Sequence, residues 1–141
     1  MPFGVEAPVD SAARMLTYSI PMPDLGLTNI DNITQSWVDA ANQQFAATFE
    51  SGMTMMVKPS EYVDVDKALT AAAEQIAAKV DLVDIGSVKA LVIEADSDAT
   101  DGENPSWVEF VINDLDINLY SESQQAASLL EIASGLVEDR A

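Results

Sequence analysis

The sequence predicts an α+β fold with a mixed or mostly antiparallel sheet of about five strands and three helices packed mainly on one face. Short runs alternate apolar and polar residues, as strands do, and longer runs repeat apolar residues every three or four positions, as helices do. The two kinds of run do not alternate strictly along the chain, which disfavours a parallel α/β sheet. At 141 residues the chain fits one domain. We place that domain at 13–141 and expect 1–12, which contains prolines and a glycine, to form an extended N-terminal arm.

The N-terminal half of the domain is expected to form a strand, a helix and a second strand. Residues 14–20 alternate Leu16, Tyr18 and Ile20 with other side chains, which predicts a strand. A helix is predicted over 33–50 because apolar residues recur at four-residue steps. We expect this stripe to pack either in the core or in the groove of a partner. It consists of Ile33, Trp37, Ala41, Phe45 and Phe49. Asp31 or Asn32 is the predicted cap, Gly52 ends the helix, and 53–58 follows as a short strand.

The C-terminal half is expected to form a helix, three strands and a final helix. The helix is predicted over 65–80, with a buried stripe of Leu69, Ala72, Ala73, Ile76 and Val80. Strands are predicted over 87–95 and 106–112. Apolar residues fall at even-numbered positions up to Ile112 and at odd-numbered positions from Leu115 onwards. One flat strand cannot keep both sets on one face, so Asn113–Asp114 is either a bulge or, as we favour, a two-residue turn. The last helix begins near Ser121 or Ser123 and buries Ala126, Leu129, Leu130, Ala133, Leu136 and Val137.

Acidic residues dominate the composition, with 24 acids against 6 bases and a formal net charge of −18. This balance disfavours direct binding to a nucleic-acid backbone or to an anionic membrane, because both need clustered Lys and Arg. Three interpretations stay open: solubility in a saline setting, recognition of a basic partner, and mimicry of DNA. The first 60 residues carry too few acids for a DNA mimic.

The chain contains no cysteine and no histidine. Thiolate nucleophiles, Cys/His zinc sites and histidine general bases are therefore excluded. No Gly-rich phosphate loop is present either. The alternating Asp114 and Asp116 are interpreted as the water-facing side of a strand. The sequence accordingly predicts a protein that is not an enzyme and that uses no cofactor.

The stretch 95–107, ADSDATDGENPSW, is the one segment that resembles a cation-binding loop. It fails the EF-hand pattern in both registers, because neither the glycine nor the final acid falls at its required position. Asp96, Asp98 and Asp101 stay weak candidates for a loose divalent-cation contact. The preferred interpretation is a solvated hairpin tip between two strands.

The predicted function is that of a structural subunit in a homo-oligomeric ring, tube or shell, such as a component of a viral particle. Methionine suits adaptable contact surfaces, and an edge strand invites pairing with a neighbour. The predicted interface residues are Met53, Met55, Met56, Phe3 and Val5. The alternative is an acidic binding module, such as an inhibitor, chaperone or immunity-type protein, for a basic protein partner.

The N-terminal segment MPFGVEAPVD has neither a basic stretch nor an apolar core. It therefore predicts no secretory signal. We expect synthesis in the cytoplasm, and assembly into a virion if the chain is a viral component.

Overall fold

The computed structural model describes residues 4–18, 33–50, 52–75, 80–86, 88–93, 106–121 and 126–140. Within them the chain forms one eight-stranded antiparallel sheet and three helices. The strands are β1 (Val5–Glu6), β2 (Ile33–Asp39), β3 (Gln44–Phe49), β4 (Met53–Pro59), β5 (Val80–Ile85), β6 (Val88–Ile93), β7 (Ser106–Ile112) and β8 (Leu115–Ser121). The helices are α1 (Val9–Met15), α2 (Val65–Gln75) and α3 (Ala126–Arg140). The predicted sheet of about five strands is therefore wrong.

The sheet consists of two meanders that meet at its centre. Its strand order is β1-β2-β3-β4-β8-β7-β6-β5. The strands β2, β3 and β4 form one meander, the strands β5 to β8 form the other, and α2 connects them in sequence. Pairing of β4 with β8, from Met53 opposite Ser121 to Pro59 opposite Leu115, joins them into one sheet. Short hairpin connections account for the antiparallel order.

The predicted helix over 33–50 is wrong, because this segment forms the β2–β3 hairpin. Trp37 pairs with Ala46, and Val38 pairs with Phe45. Trp37 and Phe45 therefore point to opposite faces of the sheet, and both are buried. Where both faces of a strand are buried, the alternation that identifies a strand is hidden. The four-residue spacing of the aromatic side chains then resembled a helical stripe.

The strand predicted over 14–20 and the extended arm predicted over 1–12 are both partly wrong, because a helix occupies Val9–Met15. Helix α1 runs to Met15, and the chain becomes extended only at Leu16. Residues 19 and 20 lie outside the described residues. In the arm, Val5 and Glu6 pair with β2, but the helix begins at Val9. The N-terminal segment therefore adds a short strand to the edge of the sheet and a helix above it.

The predictions for the C-terminal half are closer to the structure. Strands occupy 53–59, 88–93 and 106–112. The turn favoured at Asn113–Asp114 is confirmed, because these residues have φ values of 51° and 63° and connect β7 to β8 as a two-residue hairpin. Helix α2 ends at Gln75, and the predicted helical residue Val80 begins β5.

One face of the sheet carries the main hydrophobic core and is covered by α1 and α3. The sheet contributes fully buried side chains to it, among them Val38, Phe45, Met55, Phe110 and Ile117. The helices contribute Ala12, Leu129, Ala133, Leu136 and Val137. Five of the six side chains predicted to be buried in the last helix are buried, and Leu130 is half-buried. Each large apolar side chain buried here stabilises the fold by about 1.5–3 kcal/mol.

Helix α2 lies on the opposite face of the sheet, over β5 and β6. Leu69 of α2 and Leu91 of β6 are buried there, outside the main core cluster. Leu91 follows the core residue Ala90 in the same strand, so the two side chains point to opposite faces. The prediction that the helices pack mainly on one face is therefore wrong.

The conformation of Asp114 can be tested by substitution. We expect D114A to lower the free energy of unfolding by about 1 kcal/mol, because positive φ disfavours a residue with a Cβ and no local hydrogen bonding. We expect D114G to keep or raise stability, since Asn-Gly is the preferred pair for this turn. Urea unfolding followed by circular dichroism measures both. An equal loss for the two variants would contradict the assigned turn.

Candidate functional site

The candidate site is the part of the sheet surface opposite α1 and α3 that α2 does not reach. It extends across β2, β3, β4, β8 and β7. The register places three rows of side chains on this surface. We call it the open face, and its residues are Gln35, Trp37, Asp39, Gln44, Ala46, Thr48, Thr54, Met56, Lys58, Trp107, Glu109, Val111, Asp116, Asn118 and Tyr120. Among the described residues, no helix packs across it.

An aromatic pair stands at the β7–β8 end of the open face. Trp107 and Tyr120 are cross-strand neighbours, and their rings stack with centroids 5.2 Å apart and an angle of 29° between the planes. Both side chains are half-buried. Trp107 Nε1 donates a hydrogen bond to Asn118 Oδ1 at 2.8 Å, which fixes the indole ring. Stacked aromatic groups with one polar atom are typical of surfaces that contact another molecule.

Asn118 connects the aromatic pair to a buried carboxyl group. Its Nδ2 donates to Asp116 Oδ1 at 3.3 Å, and both residues are buried, with Asp116 only 2 % exposed. The prediction that Asp116 faces water is therefore wrong, whereas Asp114 in the turn is exposed. A carboxyl group this deeply buried needs hydrogen-bonding partners or a proton.

The carboxyl group of Glu109 lies close to Asp116 and acts on its ionisation through a hydrogen bond and through its negative charge. Burial first, and then the hydrogen bond and the charge of Glu109, raise the pKa of Asp116 to about 8. Lys58 lies opposite Asp116 in β4, and its positive charge partly offsets this rise. At neutral pH the Asp116 carboxyl is therefore mostly protonated.

Tyr62, in the segment before α2, completes the network at its far end. Its hydroxyl donates to Glu109 Oε2 at 3.1 Å. Burial, together with the negative charges of Glu109 and Asp116, raises the pKa of Tyr62 to about 12. The hydroxyl therefore stays protonated and remains a donor over the physiological range. This hydrogen bond connects the segment before α2 to the open face.

A pocket of about 380 Å³ lies at the centre of the open face. Its walls combine an indole, a thioether, two amides, an ammonium group and a carboxyl group. It is lined by Gln44, Met56, Val57, Lys58, Trp107, Glu109 and Asn118. This surface offers apolar contact together with donors and acceptors, which is the composition of a protein contact region.

The predicted interface residues are divided between the core and the surface. Met53 and Met55 are fully buried on the core side of β4. Met56 points the other way and is half-buried at the centre of the open face. Val5 is 59 % exposed on the edge strand β1. Phe3 lies outside the described residues.

The cation candidates Asp96, Asp98 and Asp101 also lie outside the described residues, as does most of the 95–107 stretch. Within the described ranges, no three acidic side chains are grouped closely enough to hold a metal ion. No helix in those ranges has the length and apolar character needed to cross a membrane.

Comparison with known proteins gives no further assignment. No family model matches the chain, and no curated protein or solved structure is detectably similar to it.

The raised pKa of Asp116 has a consequence for stability that can be measured. Between its ordinary value of 3.8 and about 8, the folded chain holds this proton and the unfolded chain does not. The free energy of unfolding therefore falls as pH rises through that window, and the effect is constant above it. We expect the stability advantage of D116N over the wild-type chain to grow by up to about 1.4 kcal/mol per pH unit.

Urea unfolding of both chains at several pH values between about 5 and about 9 tests this expectation. E74Q removes a carboxylate from an exposed position on α2 and controls for the general effect of lowering the negative charge. A difference between D116N and wild type that stays constant over the whole range would contradict the protonation assigned to Asp116.

Proposed function

We propose that the chain is a structural subunit of a homo-oligomeric assembly, and that it packs against a second copy through the open face. This face carries three half-buried side chains, Trp107, Tyr120 and Met56. They lie beside the buried Trp37 and Ala46. A sheet surface of this composition gains stability when another surface removes it from water. Pairs formed in this way are building units for a ring, tube or shell, including one in a viral particle.

The observation that carries this proposal is the low charge of the open face on a strongly acidic chain. The chain as a whole has a net charge of −18. On the open face, Lys58 and the Glu109–Asp116 pair form a central cluster that protonation of Asp116 leaves close to neutral, and Asp39 adds one negative charge at the end of β2. Two acidic copies repel each other least where their contact surfaces are neutral. A second copy is therefore the occupant that this face fits.

A two-fold symmetric contact between two copies would use the open face of both. A two-fold contact brings the same patch of each copy together, so each patch must be complementary to itself. The open face meets this condition because it presents both donors and acceptors, in the amides of Gln44 and Gln35 and the hydroxyls of Thr48 and Thr54. Polar groups of one copy then find partners on the other.

A second candidate function is an acidic binding module for a basic protein. The surface around α2 favours it, because Asp64, Asp66 and Glu74 are exposed there beside Lys67. Asp84 on β5 extends the acidic surface. Complementary charge would accelerate encounter with a basic partner and make the affinity sensitive to salt. A chain that stays monomeric but binds a basic protein in this way would favour this candidate over the first.

Substitution of Met56 tests the proposed contact. We expect the wild-type chain to form dimers or larger species in size-exclusion chromatography with light scattering. M56K adds an unpaired charge at the centre of the open face, so we expect the association constant to fall at least tenfold. M15K is the matched control, because Met15 is 43 % exposed on α1, away from the open face. It should associate like the wild-type chain.

Two results would overturn the proposal. The first is a wild-type chain that stays monomeric at high protein concentration and high ionic strength. The second is an equal effect of M56K and M15K on association. Circular dichroism spectra of both variants confirm that they fold.

A further inference from the structure

The polar network on the open face provides a means of controlling the contact between copies. We propose that association through the open face depends on the balance of charge between the neighbouring carboxyl groups of Glu109 and Asp116 and the ammonium group of Lys58 opposite them, so that the assembly dissociates when the cluster becomes negative. This inference rests on the proposed function, since it specifies the regulation of the same surface. It follows from the geometry of the cluster and from the symmetry of the contact.

The position of the two carboxyl groups is the first part of the argument. Glu109 lines the central pocket of the open face, and Asp116 lies directly beneath the same surface, 2 % exposed. The register places Glu109 opposite Asn118, so it is a diagonal neighbour of Asp116 across β7 and β8. A second copy seated on the open face would therefore cover both groups and remove the remaining water from around them.

The charges that face Asp116 are the second part. Lys58 faces it from β4, Glu109 from β7, and the Tyr62 hydroxyl approaches Glu109 from the segment before α2. Glu61 adds a more distant negative charge near Tyr62. Lys89 on β6 lies 3.9 Å from Asp84 and forms an ion pair with it. Among these groups, Lys58 is the one cation that offsets the carboxyl pair.

Loss of the Asp116 proton therefore changes the balance of the cluster from near neutrality to a net negative charge. Two carboxylates then face one ammonium group. Because a two-fold contact places this cluster twice in one interface, the unbalanced charge is also present twice. A desolvated, unpaired charge in an interface costs several kcal/mol. This cost is absent while the proton is retained, so the contact persists at neutral pH and is lost in alkaline solution.

Burial by the second copy adds a reciprocal effect. Removing water from a carboxyl group favours its neutral form and raises its pKa further. Association therefore binds the proton more tightly, and the proton in turn favours association, as linkage requires. The midpoint of dissociation is expected above the value of about 8 that Asp116 has in the single chain.

Sedimentation equilibrium over a pH series from about 6 to about 9.5 tests the inference, with high and constant ionic strength to screen general repulsion. We expect the association constant of the wild-type chain to fall at least tenfold across the alkaline part of the series. D116N cannot lose the proton, so its association should be independent of pH. E109Q leaves one carboxyl group opposite Lys58, so the cluster stays balanced after Asp116 ionises, and its association should not fall in the alkaline part of the series.

E74Q is the matched control, because Glu74 is exposed on α2 away from the open face. It should keep the pH dependence of the wild-type chain. Thermal unfolding at pH about 7 confirms that each variant is folded before it is compared.

The possible results separate the two proposals. Association of the wild-type chain that does not change with pH overturns the proton dependence and leaves the proposed function standing. Retention of the full pH dependence by both D116N and E109Q, or loss of association by both at every pH, also overturns it. A wild-type chain and a D116N variant that are both monomeric throughout overturn the proposed function and the inference together.

Discussion

The pairing of β4 with β8 is the constraint on which the rest of this structure depends. These strands are 55 residues or more apart in the sequence at every paired position, and their contact joins two meanders into one sheet. The same pairing places Lys58 beside Asp116 on one face and Met55 beside Leu119 on the other. The hydrophobic core and the polar network therefore form from a single registration of two strands. A shift by one residue would move every side chain of β8 to the opposite face.

Part of this arrangement could be predicted from the sequence. The change of parity between Ile112 and Leu115 located the β7–β8 turn, because each strand alone alternates regularly. Leu129, Ala133 and Leu136 identified the buried side of α3 by helical spacing. The β2–β3 hairpin could not be recognised in this way. Val38 and Phe45 face the core, whereas Trp37 and Ala46 are buried on the opposite face, so the middle of each strand is buried on both sides. The register between β4 and β8 could not be predicted either, because it depends on residues that are far apart in the sequence.

The candidate site was missed for a related reason. Asp116 alternates with Leu115 and Ile117, and such a pattern is typical of a strand with one face in water. The residues that enclose it come from β4, β7 and the segment before α2, and only the assembled sheet brings them together. In the structure Asp116, Asn118 and Tyr120 alternate with apolar residues and share one face of β8. What that face contacts depends on Lys58, Glu109 and Trp107.

The edge strand β5 affects whether sheets of neighbouring molecules can join along this edge. It is the last strand of the described sheet, and it exposes Asp81 and Asp84. A neighbouring molecule that aligned the same strand along this edge would bring like charges together, which opposes cross-β growth. Fibrillation along this border is therefore opposed by its own carboxylates.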